Sequence, residues 1–135
     1  MAFDRKKRNH MLDFTNARWV KLSAIHVDTV AAGVAHLLLE GERLLIAAKG
    51  SRDYVVFTDK RIIAVNVQGI TGNKKDFSSL PLSRIQAFSV ETAGTFDRDS
   101  ELEMYFSGLG KVRLEFAGSF DLAYVARLIG SRTLN

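Results

Sequence analysis

From Glu42 to Glu115 apolar and polar residues alternate in short runs, and the segments on either side follow a different period. Alternation at period two marks a strand with one face buried. It predicts strands over Arg43 to Ala48, Tyr54 to Thr58, Ile62 to Gln68, Asp76 to Leu80 and Ile85 to Thr92. Thr58-Asp59-Lys60-Arg61 reads as a tight polar turn, and Gly69-Ile70-Thr71-Gly72-Asn73 as a glycine-punctuated one. Pro81 suits a strand end, because it has no N–H for a ladder. The clearest hairpin comes last. Leu102, Met104 and Phe106 alternate with Glu101, Glu103 and Tyr105. Beyond Ser107-Gly108-Leu109-Gly110, Val112, Leu114 and Phe116 alternate with Lys111, Arg113 and Glu115. One face of this hairpin is apolar, and the other sets acids against bases across the strands.

Helical spacing flanks the strands. Asp28 is placed as an N-cap for a helix to about Leu39, with Val30, Val34, Leu37 and Leu38 on one face and Gly41 as its stop. A second helix is predicted from about Phe120 to Arg132, capped by Ser119, with Leu122, Val125, Leu128 and Ile129 as its buried stripe. The expected order is helix, seven short strands, helix. This is a mainly β architecture, an antiparallel sandwich or barrel that a C-terminal helix closes.

Charge changes the picture at one end only. The net charge is +4, but Asp4 against Arg5, Lys6, Lys7 and Arg8 places +3 within residues 1–10 and leaves +1 on the remaining 125. Residues 1–22 therefore read as a basic arm and residues 23–135 as the domain. A nearly neutral body argues against nucleic acid as a partner. The 135 residues are the length of one domain with a self-sufficient core. The chain has no cysteine, which excludes disulfides, thiolate zinc sites and a cysteine nucleophile, and fits a cytoplasmic location. No apolar run approaches the ~18–20 residues that span a bilayer.

Three local motifs suggest chemistry and are outweighed by context. Gly108-Leu109-Gly110-Lys111 lacks the spacing and the hydroxyl residue of a phosphate loop and reads as a hairpin turn. Gly69-Ile70-Thr71-Gly72 with Lys74 and Lys75 lacks the flanking helices of a KH clamp. Asp97-Arg98-Asp99-Ser100-Glu101 starts like a calcium loop, but Leu102 and Gly108 stand where that loop needs glycine and glutamate. No pattern of catalytic residues emerges. The sequence thus predicts no enzyme, no cofactor and no metal.

The stretches RDYVVFTDKRII (Arg52 to Ile63), QGITG (Gln68 to Gly72) and FSVETAGTFDRDSEL (Phe88 to Leu102) together resemble the bacterial pleckstrin-homology family. The resemblance runs from about Leu39 to the C-terminal helix. It implies a seven-stranded, strongly bent β sandwich closed by that helix, protomers that assemble into closed cyclic rings with a pentamer favoured, and a polar surface for other proteins. Lys75, Ser78, Leu82 and Arg98 depart from the family's usual residues.

Arg52, Asp53, Lys60, Arg61, Gln68, Glu91, Thr92, Asp97 and Asp99 are the polar groups expected to form a protein-binding surface. The expected partners are further copies of the chain and an unidentified protein. An anionic membrane or phosphoinositide-type ligand is the alternative. The loop between the first two predicted strands is short, Lys49-Gly50-Ser51-Arg52, and two cations there do not surround an inositol phosphate unless Lys60, Arg61, Lys74 or Lys75 lies nearby.

Overall fold

The computed structural model describes residues 19–96 and 98–134. The basic run Arg5 to Arg8 and Asp97 lie outside the described residues. Eight strands form one continuous hydrogen-bonded sheet in the order β5-β4-β3-β2-β1-β8-β7-β6. They are β1 Trp19–Ile25, β2 Leu44–Lys49, β3 Tyr54–Thr58, β4 Arg61–Gln68, β5 Lys74–Pro81, β6 Ile85–Glu91, β7 Ser100–Phe106 and β8 Gly110–Phe116. Each predicted strand is present, and β1 is an additional one.

β1 corrects the count of seven. It joins the two halves of the sheet: Trp19 and Leu22 pair in parallel with Leu114 and Phe116 of β8, while Ser23 to Ile25 pair antiparallel with Lys49 to Ala47 of β2. Residues 19–22, expected in the arm, therefore sit mid-sheet. Alternation hides this strand because its register shifts between Trp19 and Leu22. Lys21 there adopts φ +54°, a left-handed conformation rare for a residue with a side chain. The irregularity places Trp19 and Leu22, three positions apart, both in the core, so period two is lost.

The main core fills the inside of the bent sheet. Phe57, Ile62, Leu102, Met104, Leu114 and Phe116 are all buried there. β5 and β6 do not pair. A single 3₁₀ turn, Leu82–Arg84, carries the chain round the corner between them, and Leu82 is fully buried. The C-terminal helix, Leu122–Thr133, packs against this turn and β6 and buries Leu122, Val125 and Ile129. Asp121, and not Ser119, is its N-cap and accepts the Tyr124 N–H at 3.1 Å. Phe120 stacks on Phe116 at 3.9 Å and seats the first turn.

A second apolar cluster lies on the outer face of β2–β4, where Ala47, Tyr54, Val56, Ile63 and Val65 are covered by Val30 and Val34. β3 is consequently buried along its whole length. The cover is the segment linking β1 to β2, and it corrects the single helix expected from Asp28 to Leu39. It is broken into a 3₁₀ turn at Val27–Thr29, a four-residue α-helix (α1) at Ala31–Val34 and a 3₁₀ turn at Ala35–Leu37. Val30 and Val34 leave helical geometry, with φ near −121° and −115° and ψ near zero. These are the two residues buried on the sheet, so the backbone follows the sheet surface at the expense of one straight axis. His26, not Asp28, caps the first turn, its Nδ1 accepting the Asp28 N–H at 3.1 Å. The C-terminal helix is α2.

One buried ion pair fastens this cover. Glu42 accepts from Arg61 Nε and Nη2, both at 2.9 Å, from the Thr58 hydroxyl at 2.7 Å and from the Leu39 N–H at 3.0 Å. Arg61 also donates to the Leu37 carbonyl and, at 2.9 Å, to the Ser79 hydroxyl. Thr58 Oγ1 accepts the Lys60 and Arg61 N–H groups, and Asp59 accepts the Arg43 N–H. The β3–β4 turn is thus a clamp on the end of the covering segment. Burial by itself raises the Glu42 pKa, but the bonds from Arg61, Leu39 and Thr58 outweigh it and lower the pKa to about 2.

Candidate functional site

The turns at one end of β3 are tied to each other. Gly50 N–H donates to the Asp53 carbonyl at 2.8 Å and closes the β2–β3 turn. The Asp53 carboxylate reaches across to β4, accepting the Val67 N–H at 2.8 Å and the Asn66 amide at 3.1 Å. Asn66 Oδ1 in turn accepts from Gln68 Nε2 at 3.0 Å. With Asp53 committed to β4, Arg52 lies along the β4–β5 turn and donates to the Gly69 carbonyl. That turn reverses through Gly69 and Gly72, at φ +79° and +74°.

These two turns form one wall of a groove of about 470 Å³, and the covering segment at Thr29, Val30 and Gly33 forms the other. Lys49, Arg52 and Lys75 line it, with Ser51, Tyr54 and Thr71. No carboxylate lines it, and none of the three cations has an ion-pair partner among the described residues. Tyr54 is only 7 % exposed. Its hydroxyl lies beside Gly33, where an added Cβ would come within 2.8 Å of it, and has no hydrogen-bond partner among the described residues. Burial raises the Tyr54 pKa above the ordinary phenol value, so the hydroxyl stays protonated at neutral pH.

The residues expected to share one binding surface fall into separate places. Arg52 lines the groove, while Asp53 and Gln68 belong to the network behind it. Lys60 and Arg61 follow the opposite end of β3, and Arg61 is committed to Glu42. Glu91 ends β6, and Thr92 lines a different hollow with Arg98, Ser100 and the start of α2. Asp99 already has a partner, and Asp97 lies outside the described residues. Of the lysines considered as neighbours of the Lys49–Arg52 turn, Lys75 lines the groove and Lys60 does not. Tyr54 was legible as a strand residue only, since nothing in its spacing shows that Gly33 leaves room at its hydroxyl.

Two sheet edges complete the surface. β6 pairs only with β7, and β5 only with β4, among the described residues. Along β6 only Ile85 is buried. Val90 and the neighbouring Tyr105 of β7 are 39 % and 49 % exposed. No helix among the described residues is long and apolar enough to cross a membrane.

The family model described as "Bacterial PH domain" matches residues 13–133. The chain belongs to the bacterial PH domain family. Among its relatives, this PH domain is 54 % identical over 86 residues to the uncharacterised protein YjqA of Bacillus subtilis strain 168, covering 64 % of this chain and 69 % of YjqA. It is 35 % identical over 102 residues to the uncharacterised protein YozO of the same organism, covering 76 % of this chain and 88 % of YozO. The crystal structure of a DUF1696 family protein with a pleckstrin-homology domain from Shewanella loihica PV-4 superposes with a TM-score of 0.73 at 34 % identity, covering 85 % of this PH domain and 99 % of that chain. The match starting at residue 13 takes in β1, consistent with that strand being integral to the PH domain.

Proposed function

We propose that this PH domain is a non-catalytic binding and assembly module that closes into a ring of its own copies and offers the repeated surface to another protein. The observation that carries the reading is the pair of edges, β5 and β6, at opposite ends of one sheet, each with no second strand partner among the described residues. An exposed strand edge presents unmet N–H and C=O groups and invites pairing. A contact between two different edges is heterologous, and repeated contacts of that kind generate rings when the rotation closes. The edge charges are complementary in the antiparallel sense, with Lys74 and Lys75 opening β5 and Glu91 ending β6. Five copies is the number that the family resemblance favours. Arg52, Asp53, Lys60, Gln68, Glu91 and Thr92, repeated around such a ring, would give a partner protein many weak contacts that add by avidity.

Sedimentation equilibrium should return a discrete multiple of 15.0 kDa at micromolar concentration. Val90→Lys places a charge beside the exposed β6 edge and should shift the distribution toward the monomer without lowering the unfolding midpoint, because edge charges oppose strand pairing. A monomer at every concentration sinks the ring. The anionic-membrane reading has the basic groove in its favour and the near-neutral body against it. Salt-sensitive liposome binding that survives removal of residues 1–10 would put that reading first.

A further inference from the structure

We infer that the hollow between the β6–β7 loop and the start of α2 is a binding site for a carboxylate carried on an apolar group. This goes beyond the assembly reading and does not depend on it. The observation that carries it is Ser100. The residue is 7 % exposed, and its hydroxyl oxygen is the one buried side-chain oxygen or nitrogen among the described residues without a hydrogen-bond partner. A hydroxyl in that state lacks a bond that water supplied in the unfolded chain. Ser100 opens β7 on the same side as Leu102 and Met104, the side that faces the core. It also lines a hollow of about 510 Å³ that the start of α2 shares. A ligand seated there can supply the missing bond.

The neighbours of Ser100 fix the class of ligand. Arg98 is the only cationic residue lining the hollow, and it has no ion-pair partner among the described residues. The first turn of α2 adds a backbone donor. Asp121 takes the Tyr124 N–H at 3.1 Å, and the Phe120 carbonyl takes that of Leu122 at 2.7 Å. The Ala123 N–H is left without a partner among the described residues. A guanidinium and a helix N-terminus both favour an anion. Asp121 also lines the hollow and limits the charge of that anion. Arg98 balances a single carboxylate, whereas a dianion would leave an excess of negative charge beside Asp121. Ala93, Phe120 and Leu122 add apolar surface for the body of the ligand.

The test is titration of the isotope-labelled full chain with N-acetyl-leucine at fixed ionic strength, with N-acetyl-leucinamide as the uncharged control, read by amide chemical shifts. Saturable shifts with the acid alone, confined to residues 92–93, 98–100 and 118–123, are expected. Arg98→Gln should weaken binding by about tenfold or more, and Ser100→Ala by about two- to tenfold. Ser100→Ala should not lower the unfolding midpoint, since the hydroxyl it removes bonds to nothing in the free chain. A second arm titrates the peptide N-acetyl-alanyl-alanyl-leucine. Tighter binding than that of N-acetyl-leucine places the carboxylate on the end of a peptide chain, and equal or weaker binding places it on a small organic acid. Shifts matched by the amide, no saturable shift with the acid, binding that either variant leaves intact, or a lowered midpoint for Ser100→Ala would overturn the site.

Discussion

Replacing Glu42 with alanine is expected to cost about 3–5 kcal/mol of stability, the range for stripping one partner from a buried ion pair. The Glu42 side chain is fully buried and Arg61 is 18 % exposed, so the loss leaves a mostly buried guanidinium with only the Leu37 carbonyl and the Ser79 hydroxyl. The Leu39 N–H loses its acceptor in the same step, and the Thr58 hydroxyl keeps only the Arg61 carbonyl, at 3.2 Å. A domain is typically stable by about 5–15 kcal/mol, so much of the margin would go. Urea denaturation of the variant beside wild type measures the change. Arg61→Met made together with Glu42→Leu should recover part of it, because an apolar pair of similar volume needs no compensation. A single-variant loss below about 1 kcal/mol would contradict the description of Glu42 as the fastening of the covering segment.

Acid tests the same pair. The Glu42 carboxyl titrates at about 2 in the folded chain against 4.5 for the free group. The folded pKa is the lower one, so the stabilisation is complete above about pH 4.5 and drains away as pH falls through about 2. The difference corresponds to about 3 kcal/mol. Wild type should therefore lose stability steeply between these values, and Glu42→Gln should lose less of its own over the same interval.

The strands from Arg43 onward were legible because each carries alternation between clear turns, and the C-terminal helix because its stripe repeats at helical spacing. The family was legible from three short stretches in the right order. What the sequence concealed has one physical source, backbone that departs from regular geometry to serve packing. In β1 the irregularity at Lys21 puts Trp19 and Leu22 on the same side, which imitates neither a strand nor a helix over so few residues. In the covering segment the valines that give helical spacing are the points where the helix breaks. The surface was less legible still. Asp53 looked as available as Arg52, yet only the cross-strand bonds to Asn66 and Val67 reveal which of the two faces the groove. Lys75 is more than twenty residues from Arg52 in sequence and meets it through two turns.

The position of β1 leads to the last expectation, a loss of folding when it is removed. Deletion of residues 1–25 takes away the strand that bonds to both β2 and β8, and with it the continuity of the sheet. Both new edges would lie in the middle of the core, with the backbone groups of Ala47 to Lys49 and of Leu114 to Ala117 left without partners. Unmet buried backbone groups are costly, each by about 1–3 kcal/mol, and several would be created together. Trp19 and Leu22 would also leave the core, where they are 6 % and 2 % exposed. The expected product has no cooperative unfolding transition and binds hydrophobic dyes. A milder variant keeps the test informative if the deletion simply fails to express. Leu22→Ala leaves the strand intact and should cost about 2–5 kcal/mol, as for other large-to-small changes in a packed core. Thermal or urea unfolding reads both. A chain lacking residues 1–25 that unfolds cooperatively near the wild-type midpoint would show that β1 is an accessory arm and that the seven remaining strands hold the core by themselves.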